Sequence, residues 1–241
     1  MSPPLISLIV PVWGDDHLVV DLVGRVALKP ASAEWVVAAI EPSARLRELE
    51  DYGEIRLVGC EKPSRGAQMN AGAKEARGFL LCFHHADSEL RSEHLQSLIM
   101  AAENSEIVGG AFHRRFDNRN FLMTKWERLL RCTSPMIGPL FGDQSLFVKA
   151  DVFQRMGGFA DIPIMEDIDF ARRLRRMGRV ALLDPPLWSS PRRFRNLGNL
   201  RTSSLNVLLI MLFLLGVSPD KLHRWYYRAR FESPGKLRLG A

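Results

Sequence analysis

The sequence has 241 residues, of which 46% are hydrophobic and 25% are charged. This length and balance predict a soluble globular protein with a sizeable core, and they exclude collagen-like, disordered and disulfide-framework classes. The formal net charge is +6, with arginines concentrated in the last third, which leaves three anionic partners open: a nucleotide diphosphate, nucleic acid or a membrane. Three cysteines, none in a CxxC pair, favour a reducing compartment over a zinc ribbon.

The first half of the chain alternates apolar segments with amphipathic ones. Four strands are predicted, at Leu5–Val12, Glu34–Ile40, Ile55–Val58 and Phe79–Phe83. The helix predicted before the fourth strand covers roughly Ala67–Arg77 and ends at Gly78, for which we expect a left-handed conformation. Strand–helix alternation predicts right-handed βαβ units and therefore an α/β fold with a mostly parallel sheet of the nucleotide-binding type.

The second half has a less regular pattern. Its predicted strands are Ile107–Phe112 and Ser145–Val148, and its predicted helices are Ser92–Ala102, Leu122–Arg131, Lys149–Met156 and Asp167–Met177. The apolar run Val207–Leu215 is too short to cross a bilayer, and a second helix begins at Ser218. This predicted C-terminal helical hairpin leaves three roles open: packing on the domain, forming a dimer, or resting on a membrane surface.

Acidic and imidazole side chains follow the fourth predicted strand, in the segment His84-His85-Ala86-Asp87. Because ligands of open α/β sheets bind outside the carboxyl ends of the strands, an acid at Asp87 is a candidate ligand for a divalent cation. Such a cation would complete its shell with water and substrate phosphates. An Asp at this position is also a common loop or helix cap, and a histidine beside it is commonly a packing residue.

A second acidic cluster, Glu166, Asp167 and Asp169, opens a helix that continues with many arginines. Acids in a first helical turn complement the helix dipole, which explains them without any chemistry. Three acids in four positions also repel one another, so we expect one of them to have a raised pKa, suited to a general base for a hydroxyl. A third segment, Lys62–Gly72, opens a helix with Arg65 and Asn70 near its start, and such helix starts favour phosphate contacts.

Taken together and in this order, these segments resemble the family 2 glycosyltransferases of the GT-A fold, and the nearest branch is the small bacterial type described as radical-SAM/selenodomain-associated. The resemblance covers almost the whole chain. It rests on ISLIVPVW, RGAQMNAGAKEARG, HADS, GDQSLFVKADVFQRMGGF, PIMEDIDFARRLRRMGR and LGVSPDKLHRWYY. It implies an inverting enzyme that moves a sugar from a nucleotide-diphosphosugar to a hydroxyl acceptor, with Mn²⁺ or Mg²⁺ on the diphosphate.

The resemblance also implies roles for individual residues. Asp87 matches the final acid of the family's DxD metal motif, whose first acid is His85 here. Asp167 of the pair Glu166-Asp167 matches the base that deprotonates the acceptor hydroxyl. The residues implied for the donor are Pro11, Val12, Glu41, Arg65, Asn70, His85, Asp87, Arg192 and Arg193. Those implied near the acceptor or the transferred sugar are Asp143 and Gln144.

One segment departs from the family pattern. Members usually end the second strand with an Asp-rich turn such as VDDGS, whose Asp contacts the nucleotide base, whereas this chain has AAIEPS with Glu41 as the nearest acid. Two other functions stay open: a nucleotidyltransferase for sugar phosphates, and a non-catalytic nucleotide-sugar-binding relative at a membrane surface. A nucleotidyltransferase usually carries a Gly-rich basic loop after the first strand, where this chain has VWGDDHLVV. Nucleic acid is not an expected partner, because no aromatic–basic alternation is present.

The expected organisation is one GT-A domain over residues 1–195 and a helical extension over residues 196–241 that packs on it. Within the domain, the donor half is expected at about 1–90 and the acceptor half at about 91–195. The N-terminus lacks the basic region of a secretory signal, so we expect a cytoplasmic protein. Peripheral contact with the inner face of the membrane and homodimer formation are left open.

Overall fold

The computed structural model describes residues 5–26, 32–115, 140, 142–188 and 208–231, and the structural statements below concern these residues. The chain divides into two compact units. The first comprises Met1–Asp161 and Asp167–Pro191, and the second comprises Ile162–Glu166 and Arg192–Ala241. Each unit is described by itself.

The first unit contains a mixed sheet, which has seven strands in the described part of the chain. The strands, β1 to β7, are Ile6–Trp13, Ala33–Ile40, Arg56–Gly59, Leu80–Phe83, Ile107–Arg115, Leu146–Lys149 and Arg179–Trp188. Their order across the sheet is β3-β2-β1-β4-β6-β5-β7, and only β6 runs antiparallel to its neighbours. The predicted, mostly parallel sheet is therefore confirmed. The carboxyl ends of β1, β2 and β4 meet at one edge, where ligands of such sheets bind.

Helices cover both faces of this sheet. Four of them, α1 to α4, are Asp16–Arg25, Ala44–Asp51, Arg65–Glu75 and Ser92–Glu103. Two later helices span Ala150–Met156 and Glu166–Met177, and a short 3₁₀ turn spans Gly142–Gln144. Alternate residues of β1 face opposite sides, so Leu8 belongs to one buried cluster and Ile9 to the other. Burial on both faces explains the uninterrupted apolar strands of the sequence.

Four phenylalanines pack together in the buried cluster that contains Ile9: Phe83, Phe153, Phe159 and Phe170. The rings of Phe159 and Phe170 are stacked with their centroids 4.3 Å apart, and Phe83 contacts Phe159 edge-on at 4.8 Å. Aromatic pairs at these separations add about 0.5–1.5 kcal/mol beyond the area they bury. Phe170 is fully buried, so this cluster fixes the part of the helix that carries Asp167 against the end of β4.

Two sequence expectations are corrected by the structure. Gly78 does not adopt a left-handed conformation, and α3 ends three residues earlier, at Glu75. The glycine is needed for space, because a Cβ on residue 78 would lie 2.5 Å from the backbone nitrogen of Ser7. The strand β7 was not predicted at all. The predicted helix Leu122–Arg131 lies outside the described residues.

The second unit contains a helical segment at residues 208–214 and the helix Pro219–Phe231. Leu209 and Leu222 are buried, whereas several large apolar side chains are about half exposed or more. These exposed residues are Leu208, Met211, Leu214, Leu215 and Trp225. Among the described helices, none is long and apolar enough to cross a membrane.

Candidate functional site

His84 connects the turn after β4 to the segment before β6. It is fully buried, with Nδ1 2.7 Å from the hydroxyl of Ser145 and Nε2 3.3 Å from the carbonyl oxygen of Ser88. Because a carbonyl oxygen can only accept, Nε2 donates to Ser88 and Nδ1 accepts from the Ser145 hydroxyl. Burial lowers the pKa of His84 from 6.5 to about 4, so the ring is neutral near pH 7. His84 is thus a structural connection between two loops.

His85, the next residue, has a different partner. It is only 6% exposed, and its Nδ1 lies 2.6 Å from Nη2 of Arg65, the first residue of α3. A guanidinium group has donors and no acceptor, so Nδ1 must accept this hydrogen bond. The ring is therefore the neutral tautomer that carries its proton on Nε2. The structure thus brings together Arg65 and His85, both of which the sequence assigned to the nucleotide-sugar donor.

Asp167 and His85 converge on Gly142. The backbone nitrogen of Gly142 donates to Oδ2 of Asp167 at 2.8 Å, and the backbone nitrogen of Ile168 donates to Oδ1 at 2.8 Å. A Cβ on residue 142 would lie 3.3 Å from Oδ2 of Asp167 and 3.4 Å from Nε2 of His85. The carboxylate and the imidazole thus both approach Gly142 so closely that even a methyl group there would press on them.

The other two acids of this cluster have separate positions. Asp169 accepts a hydrogen bond from Nε of Arg173 at 2.7 Å, an ion pair across one turn of the helix. Glu166 begins the helix, is nearly buried and belongs to the second unit. The expectation that one acid has a raised pKa stays a prediction.

Asn70 is engaged with protein backbone. Its Nδ2 donates to the carbonyl oxygen of Phe159 at 2.9 Å, and its Oδ1 accepts from the backbone nitrogen of the same residue at 2.8 Å. The sequence assigned Asn70 to the nucleotide-sugar donor, whereas both of its amide atoms join α3 to the segment after the helix Ala150–Met156. A contact between Asn70 and a nucleotide sugar would have to compete with these two hydrogen bonds.

Gln68, which the sequence did not single out, joins the ends of two strands. Its Nε2 donates to the carbonyl oxygens of Val12 at 2.7 Å and Ala38 at 2.9 Å, and the side chain is buried. These carbonyls belong to the carboxyl-terminal parts of β1 and β2. A buried glutamine beside Met69 on an otherwise apolar helix face is the signal that could have identified it.

Hydrogen bonds of Ser43 stabilise the turn after β2. Glu41 is exposed and has a φ of +51°, in the left-handed region that a non-glycine residue seldom adopts. Two residues later, the backbone nitrogen of Ser43 donates to Oδ2 of Asp16 at 2.7 Å. The hydroxyl of Ser43 caps α2. Of the two β1 residues assigned to the nucleotide-sugar donor, Val12 is buried and Pro11 is partly exposed.

The remaining predicted residues lie at different places. Asp87 is partly exposed in the turn after His85. Gln144 is buried and donates through Nε2 to the carbonyl oxygen of Phe112 at 3.0 Å. Asp143 lies in the same 3₁₀ turn, although its side chain is outside the described part of the structure. Arg192 and Arg193 also lie outside it.

The donor atoms at this edge fit a divalent cation only in part. Among the described residues, no group of three His, Cys, Asp or Glu side chains could hold a metal ion. Asp87 offers one accessible carboxylate, which suits a cation that takes its other ligands from water and phosphates. His85 does not fit, because a ligating histidine normally donates its other N–H to an acceptor, and here that nitrogen faces the guanidinium of Arg65.

A family model matches slightly less than half of the chain. Residues 41–159 match the model described as Glycosyl transferase family 2. The matched segment contains Arg65, His85, Asp87 and Gly142, so the site described above lies largely within it. No curated protein matches the sequence.

Similar solved structures confirm the predicted GT-A fold. The mannosyltransferase PcManGT from Pyrobaculum calidifontis, in complex with GDP-Man and Mn²⁺, has a TM-score of 0.64 and 17% identity, over 98% of this chain and 77% of that one. Glucosyl-3-phosphoglycerate synthase from Mycobacterium tuberculosis, in complex with Mn²⁺, UDP and glucosyl-3-phosphoglycerate, has a TM-score of 0.59 and 16% identity. The match covers 89% of this chain and 81% of that one. S. aureus TarS has a TM-score of 0.58 and 13% identity, and the match covers 95% of this chain but 44% of TarS.

Proposed function

We propose that this protein is an inverting glycosyltransferase that moves a sugar from a nucleotide-diphosphosugar to a hydroxyl group of an acceptor. In this proposal Asp167 is the general base, and Arg65, His85 and Asp87 bind the diphosphate. The narrower assignment to the radical-SAM/selenodomain-associated branch stays a prediction. The similar structures in complex with GDP-Man and with UDP support a nucleotide-sugar donor.

The observation that carries the proposal is the convergence at Gly142. An imidazole from the end of β4 and a carboxylate from the helix Glu166–Met177 both lie within 3.4 Å of the position that a Cβ would take there. Inverting transfer needs a base for the acceptor hydroxyl and positive charge for the leaving diphosphate, and Asp167 and Arg65 are proposed for these two roles. Two backbone N–H groups donate to the carboxylate of Asp167 and hold it in place at the start of its helix.

A divalent cation, Mn²⁺ or Mg²⁺, is part of the proposal, with Asp87 as its protein ligand. When bound, such an ion would neutralise charge that develops on the diphosphate. The protein's own contribution is the guanidinium of Arg65, which lies at the carboxyl edge of the sheet and adds a fixed positive charge there. Two similar structures contain Mn²⁺, which supports a metal in this fold.

The residues proposed for the acceptor side are Asp143 and Gln144, with Glu166 as a second acid beside the base. Gln144 donates to the backbone of β5, so its contribution would be to fix the 3₁₀ turn that carries Gly142. Arg192 and Arg193 are proposed as further cations near the diphosphate. Pro11, Val12 and Glu41 are proposed to line the base and ribose, with the exposed Glu41 in the place of the family's acidic turn.

We also propose a cytoplasmic location with peripheral contact to an anionic membrane through the second unit. Leu208, Met211 and Leu215 follow one another at helical spacing and are each more than half exposed. The following helix of the same unit carries exposed cations such as Lys221 and Arg224, and this combination suits an interfacial segment on acidic lipids. Homodimer formation through the same face is the competing outcome.

The function is tested with a panel of UDP-, GDP- and dTDP-sugars, with and without Mn²⁺, followed by thermal shift and by release of nucleoside diphosphate. In D167N we expect donor binding to persist while turnover falls by 10²-fold or more, because the general base is lost. D169N is the matched control, since Asp169 is ion-paired to Arg173 on the same helix and its loss should leave turnover near the wild-type rate. Normal turnover in D167N would refute the assignment. Release of pyrophosphate from a nucleoside triphosphate would instead indicate a nucleotidyltransferase.

A further inference from the structure

Asn70 lies in the middle of α3 and is bonded to a residue 89 positions later in the chain. Its Nδ2 donates to the carbonyl oxygen of Phe159 at 2.9 Å, and its Oδ1 accepts from the backbone nitrogen of the same residue at 2.8 Å. One side-chain amide therefore satisfies both backbone polar groups of Phe159, as a neighbouring strand would. Loss of either amide atom leaves one of these groups without its partner.

The two residues before Phe159 are glycines that make room for this contact. Gly157 ends the helix Ala150–Met156 with a φ of +73°, and Gly158 follows with a φ of +74°. Both angles lie in the left-handed region that favours glycine. A Cβ on residue 158 would lie 2.5 Å from Oδ1 of Asn70. The sequence thus specifies both the turn towards Phe159 and the space beside the amide.

The ring of Phe159 connects this contact to the helix that carries the proposed base. It stacks on the ring of Phe170 with the centroids 4.3 Å apart and an angle of 22° between the planes. Phe159 is 3% exposed, and Phe170 is fully buried three residues after Asp167 on the helix Glu166–Met177. In a close-packed core one of two stacked rings has little freedom to move alone. The position of the Phe159 backbone therefore affects the position of the helix start at Asp167.

The start of α3 serves the nucleotide-sugar side of the proposed reaction. Arg65 is its first residue, and Gln68 ties the helix to the carboxyl-terminal parts of two strands. Asn70 follows two residues after Gln68 on the same helix of 11 residues. One helix is therefore bonded both to the strand ends and to the segment that packs on the helix of Asp167.

We infer that Asn70 is a positioning residue for the general base Asp167, which it aligns through the stacked rings of the aromatic cluster. This role rests on the proposed function, in which Asp167 takes the proton of the acceptor hydroxyl. Asn70 then controls turnover, whereas a direct contact between Asn70 and the nucleotide sugar would control affinity for that substrate. Displacing a reacting group by about 1 Å can cost up to about 10²-fold in rate, so a small shift of the helix start is measurable.

The first experiment compares N70A and N70D with the wild type, using the UDP-, GDP- or dTDP-sugar that turns over in the panel described above. N70A removes both hydrogen bonds. In N70D one oxygen still accepts from the backbone nitrogen of Phe159, but the other faces a carbonyl oxygen and repels it while the group is ionised. At about pH 8 we expect kcat to fall about tenfold in both variants, while the dissociation constant of the nucleotide sugar stays within about twofold of the wild type.

The two variants should differ in their dependence on pH. Partial burial and the facing carbonyl oxygen raise the pKa of the carboxyl group in N70D, and once protonated it can donate to that oxygen as the amide does. The ratio of N70D to wild-type kcat should therefore rise towards one as the pH falls to about 5.5, whereas the ratio for N70A should stay low. Groups that titrate in both proteins, including Asp167, cancel in these ratios.

N104D is the matched control for the exchange of an amide for an acid. Asn104 is exposed, and its Oδ1 accepts from the backbone nitrogen of Glu106 at 2.9 Å, which a carboxylate oxygen can also do. Its kcat should match the wild type at every pH. A ratio for N70D that does not change with pH, or weaker binding of the nucleotide sugar with an unchanged kcat, would overturn the inference.

The second experiment tests whether Asn70 acts through Asp167. The residual turnover of N70A/D167N at about pH 8 should equal that of D167N within about twofold, because a residue that only aligns the base has no effect once the base is absent. A further tenfold loss in the double variant would show that Asn70 contributes independently of Asp167. Thermal unfolding of each variant shows that it is folded at the assay temperature.

These results separate the role of Asn70 from the proposed function. If no nucleotide sugar turns over with the wild type, the proposed function fails and the role of Asn70 fails with it. If D167N loses turnover but N70A keeps a normal kcat, the function stands and the inference fails. A lower unfolding temperature of N70A with an unchanged kcat would show that Asn70 contributes to stability alone.

Discussion

His84 makes the stability of this protein depend on pH in a way that can be calculated. Its pKa is about 4 in the folded protein, compared with an ordinary value of 6.5, because the ring is fully buried. Above pH 6.5 the ring is neutral in the folded and unfolded states alike and adds no pH dependence. Below pH 6.5 the unfolded chain takes up a proton that the folded protein refuses, so stability falls as the pH decreases towards 4.

The difference between the two pKa values corresponds to about 3.4 kcal/mol when fully expressed, and about 2 kcal/mol of it is lost between pH 7 and pH 5. The measurement is urea unfolding at both pH values for the wild type and for H84Q, which has no titrating group at this position. His94 also has a pKa lowered by burial, but it is present in both proteins and cancels. We expect the wild type to lose about 2 kcal/mol more than H84Q over this range.

H17Q is the matched control, because it replaces an exposed histidine of α1 instead of the buried one. Parallel losses of stability in the wild type and H84Q would refute the reasoning. In that case protonated His84 would have to be accommodated in the folded state, with Nδ1 donating to the Ser145 hydroxyl instead of accepting from it.

Two further predictions concern the site and the second unit. G142A places a methyl group 3.3 Å from Oδ2 of Asp167, so we expect turnover to fall about tenfold. G24A is the control, because a Cβ there meets nothing within 4 Å, and its turnover should match the wild type. Equal turnover in G142A and the wild type would show that the surroundings of Gly142 are not used in the reaction. M211S should reduce binding to vesicles that contain an anionic lipid several-fold in a co-sedimentation assay, while M100S, at an exposed Met of α4 in the first unit, should not. If M211S instead weakens self-association in light scattering and leaves vesicle binding intact, the exposed face is a dimer interface.

The sequence was sufficient for six of the seven described strands because their signals are local. The runs in β1, β2 and β4 are apolar apart from Ser7 and Glu34, as expected for strands buried on both faces, and the βα alternation then gives the parallel order. The strand β7 was missed because Pro185 and Pro186 interrupt its pattern. They lie where the pairing with β5 shifts register, at the edge of the sheet, which is where a strand tolerates proline.

The site was predictable in its residue types and much less so in its contacts. The resemblance selected Asp167 from three acids at a helix start, but its hydrogen bond to Gly142 joins residues 25 positions apart. The contact between Arg65 and His85, 20 positions apart, depends on how α3 packs against β4, which no local pattern reports. The two hydrogen bonds from Asn70 to the backbone of Phe159, 89 positions away, were likewise invisible to any local pattern.

Gln68 has a consequence for how this edge of the sheet is supported. One side-chain nitrogen bridges the carbonyls of Val12 and Ala38, so α3 is tied to both strand ends in addition to the hydrogen bonds that pair β1 with β2. Arg65 lies three residues before Gln68 on the same helix, so the bridge also fixes Arg65 relative to these strand ends. A change in the loop that follows β2 can therefore leave α3 in place.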